Sequence, residues 1–269
     1  KCLGEINEAE IYLRKAIKLQ PDYADAFFNL GSILFERINL KEAELFLRKA
    51  IEIKPNYSEA YLNLGSVMID LGNLEQAYSL TQKAIEINPN YLDAHLNLGN
   101  ILRDLDRLKE AELSIRKALE VNPDSAEAYL NLGTILRDLG NMQEAEKVTR
   151  RAIELRNNYP DAYFNLGPIL TDLGNLKEAE LVTRKAIELK FNSNEGYFNL
   201  SLIQLLTGNY QMGLENYEFR SKKPKPILPH VITRINRFTK DKLFFSDKIL
   251  IISEQGLGDT IQFMRYIPY

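Results

Sequence analysis

The sequence predicts an all-α protein, a stack of helical hairpins, with a short β-α stub of an α/β domain at its C-terminal end. Three observations carry that prediction. The triplet Asn-Leu-Gly recurs every 34 residues, at Asn29-Leu30-Gly31, Asn63-Leu64-Gly65, Asn97-Leu98-Gly99, Asn131-Leu132-Gly133 and Asn165-Leu166-Gly167, and Asn199-Leu200-Ser201 continues the series. Internal repetition at such a period marks stacked supersecondary units. Within each unit apolar residues recur at three- and four-residue steps, as one buried helix face requires. Glycine and proline then punctuate the chain where helices should stop.

The composition fits that class and removes others. The 269 residues carry 34 Lys+Arg against 37 Asp+Glu, a net charge of −3, with 45% hydrophobic and 26% charged residues. This is the profile of an ordered chain. A generic nucleic-acid binder would show a basic stripe instead. No apolar run approaches the ~18 residues of a bilayer span. One cysteine, Cys2, leaves no internal disulfide, and His95 and His230 alone cannot form a His/Cys zinc cluster. The expectation is a cytoplasmic protein with no metal, no cofactor and no nucleic-acid partner.

The first segment, 1–23, reads as the second helix of an earlier unit, and six full units follow at 24–57, 58–91, 92–125, 126–159, 160–193 and 194–227. In 58–91, Ala60, Tyr61, Leu64, Gly65, Val67 and Met68 mark one face of a first helix. Gly72-Asn73 breaks it, as a helix C-terminus should. A second helix over 74–87 places Ala77, Leu80, Ala84 and Ile85 on one side, and Pro89 ends it. The same two alanine columns run through Ala9, Ala43, Ala77, Ala111, Ala145 and Ala179, and through Ala16, Ala50, Ala84, Ala118, Ala152 and Ala186. Glycine within a helix costs roughly 0.5–1 kcal/mol relative to alanine, so its recurrence calls for a close helix approach.

Taken together, the period, the aromatic or His column of Phe27, Tyr61, His95, Tyr129, Tyr163 and Tyr197, the Leu-Gly step, both alanines and the closing Pro21, Pro55, Pro89 and Pro123 resemble the tetratricopeptide repeat. The resemblance implies a right-handed α-solenoid whose concave face is lined by the first helix of each unit. Asn157 and Phe191 depart from the closing proline. The last unit departs further, with Gly196, Ser201, Gly213 and Arg220 in place of alanine, glycine, alanine and alanine, so the solenoid is expected to end near 222.

On the implied concave face the asparagine column, Asn29, Asn63, Asn97, Asn131, Asn165 and Asn199, could engage the backbone of an extended peptide, since an amide both donates and accepts. This resembles the asparagine ladder in the repeats of the eukaryotic O-GlcNAc transferase. The alternative role for the column is a hydrogen bond between neighbouring helices. Selectivity is assigned to Phe28, Leu62, Leu96, Leu130, Phe164 and Phe198. Acids at Asp25, Glu59, Asp93, Glu127, Asp161 and Glu195 suit the first-turn macrodipole without a ligand. Those at Glu36, Asp70, Asp104, Asp138 and Asp172 sit near helix C-termini, where negative charge is disfavoured. Either basic residues of a neighbouring hairpin, such as Arg103 and Arg137, or a basic or polar partner chain would compensate them. The steps Arg48-Lys49, Arg116-Lys117, Arg150-Arg151 and Arg184-Lys185 accompany Glu44, Glu112, Glu146 and Glu180 and read as a solvated mixed-charge face.

The tail changes character. Ser221 to Pro229 is a proline-stiffened connector, with 228–247 as linker and 248–269 as the start of a truncated Rossmann-like domain. The run Lys248 to Ser253 reads as a buried strand, Gly256 and Gly258 as a phosphate-binding turn, and Thr260 to Tyr266 as a helix start. The string from Lys248 to Tyr266 resembles the glycosyltransferase-like domain that follows tetratricopeptide repeats in many bacterial proteins, itself similar to the heptosyltransferases. That resemblance implies Asp259 as a general base on an acceptor hydroxyl; the alternative is a cap on the helix beginning at Thr260. Starting at Lys1 and stopping at Tyr269, the chain reads as a piece of a longer protein, too short to complete a transferase active site. The expected function is therefore a protein-interaction scaffold binding an extended peptide, with a glycosyltransferase parent whose repeats recruit the acceptor as the alternative. Self-association through an exposed strand edge of the stub is a third expectation.

Overall fold

The computed structural model describes residues 3–190 and 193–222, which are helical throughout apart from short turns. They fall into two units divided between Phe191 and Asn192. The strand and helix start expected over 248–266, with Gly256, Gly258 and Asp259, lie outside the described residues.

The first unit holds eleven helices: α1 (Leu3–Leu19), α2 (Ala24–Glu36), α3 (Leu40–Ile53), α4 (Ser58–Asp70), α5 (Leu74–Ile87), α6 (Leu92–Asp104), α7 (Leu108–Val121), α8 (Ala126–Asp138), α9 (Met142–Leu155), α10 (Pro160–Asp172) and α11 (Leu176–Leu189). Each packs on the next. Helix ends follow from local chemistry. After α4 the Leu71, Gly72 and Asn73 amides fold back on the Val67, Ile69 and Met68 carbonyls, with Gly72 at φ +78°. That left-handed step is open to glycine and costs other residues about 1–2 kcal/mol. Ile38 (φ 61°) and Asp106 (φ 59°) make the same step without glycine, so the turns after α2 and α6 carry strain that the turn after α4 does not.

The core sits between the two helices of each hairpin and between adjacent hairpins. Ala43, Ala77, Ala111, Ala145 and Ala179, and likewise Ala50, Ala84, Ala118, Ala152 and Ala186, are all fully buried. A methyl group on Gly99 would lie 2.3 Å from Ile115 Cδ1, and one on Gly133 would lie 2.2 Å from Thr149 Oγ1. Contact that close is why glycine recurs despite its helix cost. Larger side chains, among them Leu30, Leu64, Met68, Leu132, Ile135 and Leu166, fill the space that remains.

The second unit is a hairpin of α12 (Asn194–Leu206) and α13 (Tyr210–Tyr217), followed by a 3₁₀ turn over Glu218–Lys222. The departures noted in the sequence have local consequences here. Ser201 is buried and donates to the Phe198 carbonyl at 2.6 Å. Arg220 is buried over the Tyr217 ring and donates to the Tyr217 carbonyl at 3.2 Å. Among the described residues no helix is long and apolar enough to cross a membrane.

Candidate functional site

In the first unit α2, α4, α6 and α8 each touch the first helix of the next hairpin, whereas α3, α5, α7 and α9 do not reach the next second helix. First helices are therefore the closer set, and they line the inner face. The columns read from the sequence fall on them, but the asparagines do not share one environment.

Asn29 is exposed. Asn63 is half-buried and donates from Nδ2 to Ser32 Oγ of the preceding hairpin at 2.8 Å; Asn97 does the same to Ser66 Oγ at 3.1 Å. The two serines in turn donate to the Phe28 and Leu62 carbonyls, at 2.9 and 3.2 Å. Each of these amides is thereby tied down at one N–H, and its Oδ1 has no partner among the described residues. At the next junction the preceding position is Asn100 instead of serine, and the Asn131 Nδ2 is buried without a partner there. Asn165 is buried and engaged at both ends, donating to Thr149 Oγ1 at 3.3 Å and accepting from Arg137 Nη1 at 3.0 Å. Asn199, in the second unit, is half-buried.

The apolar column is equally divided. Phe28, Leu130 and Phe164 remain half-buried, whereas Leu62, Leu96 and Phe198 are buried and serve the core as well as the inner face. Pro168 occupies the position held by Ser32 and Ser66 in earlier hairpins; lacking an N–H, it leaves the Phe164 carbonyl without its usual helical amide.

Carboxylates flank this surface on two sides. Asp25, Glu59, Asp93, Glu127 and Asp161 occupy first turns, where the helix dipole favours them. Of the acids at the opposite ends, Asp138 is met by Arg103 of the preceding hairpin at 2.9 Å and by Arg137 at 3.4 Å. Glu36, Asp70, Asp104 and Asp172 are exposed and have no ion pair among the described residues. Compensation by a neighbour thus reaches one of five positions.

The second helices carry the mixed-charge face. Arg48, Arg116, Arg150 and Arg184 pair with Glu44, Glu112, Glu146 and Glu180 within their helices, and Arg14, Arg116 and Arg150 also bridge to Glu42, Glu144 and Glu178 of the following hairpin. His95 is buried, its Nε2 donating to the Pro89 carbonyl at 2.8 Å. Among the described residues there is no cluster of three His, Cys, Asp or Glu able to hold a metal ion.

One row along the inner edge escaped the sequence reading. Tyr57, immediately before α4, packs on Phe28 with the rings tilted by 39° and 4.9 Å between their centroids. Burial, and then its hydrogen bond to the Asp25 carboxylate, hold its phenol well above the usual tyrosine range. Burial likewise raises Tyr91, with Asp93 and Glu59 adding to it, and Tyr159, with Glu127 nearby. The signal was present as tyrosine at 23, 57, 91 and 159, in step with the repeat.

Models described as tetratricopeptide repeat match residues 3–58 and 96–160, 46–78, and 160–193. No curated protein matches the sequence. Among solved structures, the chain is similar to YrrB, "a TPR protein with an unusual peptide-binding site", at 25% identity and a TM-score of 0.56, covering 68% of this chain and 95% of that one. A tetratricopeptide repeat protein from Parabacteroides merdae ATCC 43184 is 22% identical with a TM-score of 0.67, covering 80% and 85%. The Cut9–Hcn1 hetero-tetramer of the APC/C gives a TM-score of 0.73 at 17% identity, covering 83% of this chain and 45% of that one. These last two likenesses concern the fold.

Proposed function

On the premise that this chain belongs to the tetratricopeptide repeat family, we propose that it is a protein-interaction scaffold holding an extended peptide along the inner face of its first unit, chiefly at Asn29, Asn63 and Asn97. The observation that carries this reading is the anchoring of Asn63 and Asn97 by one N–H each to Ser32 and Ser66. A tethered amide has already lost much of its rotamer freedom, so pairing its Oδ1 and second N–H with a peptide unit costs less entropy. Half-buried Phe28 and Leu130 add apolar contact beside it. The 25% identity with YrrB, described as having a peptide-binding site, supports the class of ligand.

The test is selection of peptides on the full chain from a random display library, followed by Asn63→Ala with Asn97→Ala. At about 0.5 kcal/mol for each of the four lost hydrogen bonds, the low end for solvent-accessible groups, the double variant should weaken binding roughly 30-fold with its helical circular dichroism unchanged. A selected peptide that binds the double variant as tightly as the parent would refute the role of the column. Recruitment of a glycosyl acceptor by the repeats, with Asp259 as base, is the second reading and rests on the string from Lys248 to Tyr266. Titration of the chain with nucleotide sugars tests it, and a flat titration removes it for this chain.

A further inference from the structure

The tyrosine row has two members that already hold a cation. Lys54 Nζ stands 4.0 Å above the Tyr57 ring centroid, and Arg156 Cζ stands 4.4 Å above that of Tyr159. In both, the cation comes from the residue three positions before the tyrosine, and carboxylates of the adjoining first turns act electrostatically on the phenol: Asp25 and Glu59 at Tyr57, Glu127 and Asp161 at Tyr159. The arrangement is an aromatic face and acid groups around a positive charge.

Tyr91 has the same surroundings without the charge. It packs against the cluster of Leu62, Ala84 and Ala94, and the charges of Asp93 and Glu59 act on its phenol. The residue three positions earlier is Asn88, which is neutral and whose Oδ1 accepts the Asn90 amide at 3.3 Å. No cation lies over the Tyr91 ring, and neither Glu59 nor Asp93 has an ion pair, among the described residues. Tyr23, preceded by Gln20, has no first helix before it in the described chain, and Ser125 replaces the tyrosine in the remaining hairpin of this unit. Tyr91 is thus the place in the stack where the aromatic and both acids persist and the cation has been removed.

We propose that Tyr91, with Glu59 and Asp93, receives a lysine or arginine side chain of the peptide bound along the inner face, the partner supplying the charge that Lys54 and Arg156 supply internally at Tyr57 and Tyr159. This rests on the peptide-binding reading and specifies its ligand as basic. Charge complementarity argues the same way at the far edge of the surface, where Asp70 and Asp104 stand exposed and unpaired in the two hairpins that flank Tyr91.

The test compares two short amidated peptides of glycine, serine and leucine, identical but for one central residue, lysine in one and norleucine in the other. Binding is read by backbone amide shifts on the full chain. The lysine peptide should bind about fivefold or more tightly, as a partly desolvated cation–π contact implies, and should move the Tyr91 and Asp93 signals. Asn88→Lys restores the sister hairpins' internal cation and should abolish the preference without lowering the unfolding midpoint. Tyr91→Leu, and separately Glu59→Gln with Asp93→Asn, should each reduce it. Equal binding of the two peptides, or a lysine preference that survives Asn88→Lys, overturns this seat and leaves the inner-face reading standing. Failure of every library peptide to bind overturns that reading, and this proposal falls with it.

Discussion

Gly99→Ala tests the packing that fixes the spacing of the inner face. The added methyl would lie 2.3 Å from Ile115 Cδ1 and 2.6 Å from its Cγ1, with the Ala111 carbonyl oxygen 3.5 Å away. Ile115 is fully buried, so its side chain cannot swing into solvent. Because two carbons are too close, rotating the terminal methyl alone does not relieve the contact. Overpacking of this kind costs typically 1–3 kcal/mol. Alanine's better helix propensity returns up to about 1 kcal/mol. With two carbons inside contact distance of a side chain that cannot move aside, the overpacking cost falls in the upper part of its range, about 2–3 kcal/mol. The net expectation is a loss of roughly 1–2 kcal/mol, read by urea denaturation and by faster amide exchange in α6 and α7. Ile115→Ala alone should cost about 2–5 kcal/mol through its cavity. Combined with Gly99→Ala it should cost less than the sum by about 1–2 kcal/mol, since the new methyl enters the vacated space. A Gly99→Ala variant as stable as the parent, or strict additivity with Ile115→Ala, would refute close approach as the reason for the glycine.

Three further outcomes follow from individual side chains. Asn165→Ala should destabilise by about 1–3 kcal/mol, because it strands a buried site that now bonds Thr149 and Arg137, whereas Asn29→Ala at an exposed position should stay within about 0.5 kcal/mol; thermal unfolding separates the two. Thr81→Val should raise the unfolding midpoint, since the Thr81 hydroxyl is buried without a partner among the described residues and an isosteric methyl removes that penalty of roughly 1 kcal/mol. Tyr57 should titrate later than free tyrosine in an alkaline absorbance scan, and Asp25→Asn should bring it back toward the usual range. As its folded pKa is raised, Tyr57 adds stability that is fully present below pH ~10 and lost as the pH climbs through the folded value.

Helices and turns were legible in the sequence because they depend on local chemistry: three- and four-residue apolar spacing, a residue that can adopt positive φ, a proline that cannot continue a helix. The two alanine columns and the glycine column likewise announced burial, because only small residues fit where backbones meet, and the fully buried Ala77, Ala84 and their counterparts lie there. Belonging to the tetratricopeptide repeat family was readable for the same reason. A column of identical letters did not carry identical roles, however. Whether an asparagine is exposed like Asn29, tethered like Asn63 and Asn97, or spent on the scaffold like Asn165 depends on the residue facing it from the preceding hairpin, about 31 positions away at Ser32 and Ser66 or 28 at Arg137. The charge at Tyr91 is likewise a matter of what the adjoining turn brings over its ring. Repetition in one dimension settles each hairpin, but side-chain pairing between hairpins is decided across the stack, where one changed neighbour redirects a hydrogen bond worth as much as the column's own preference.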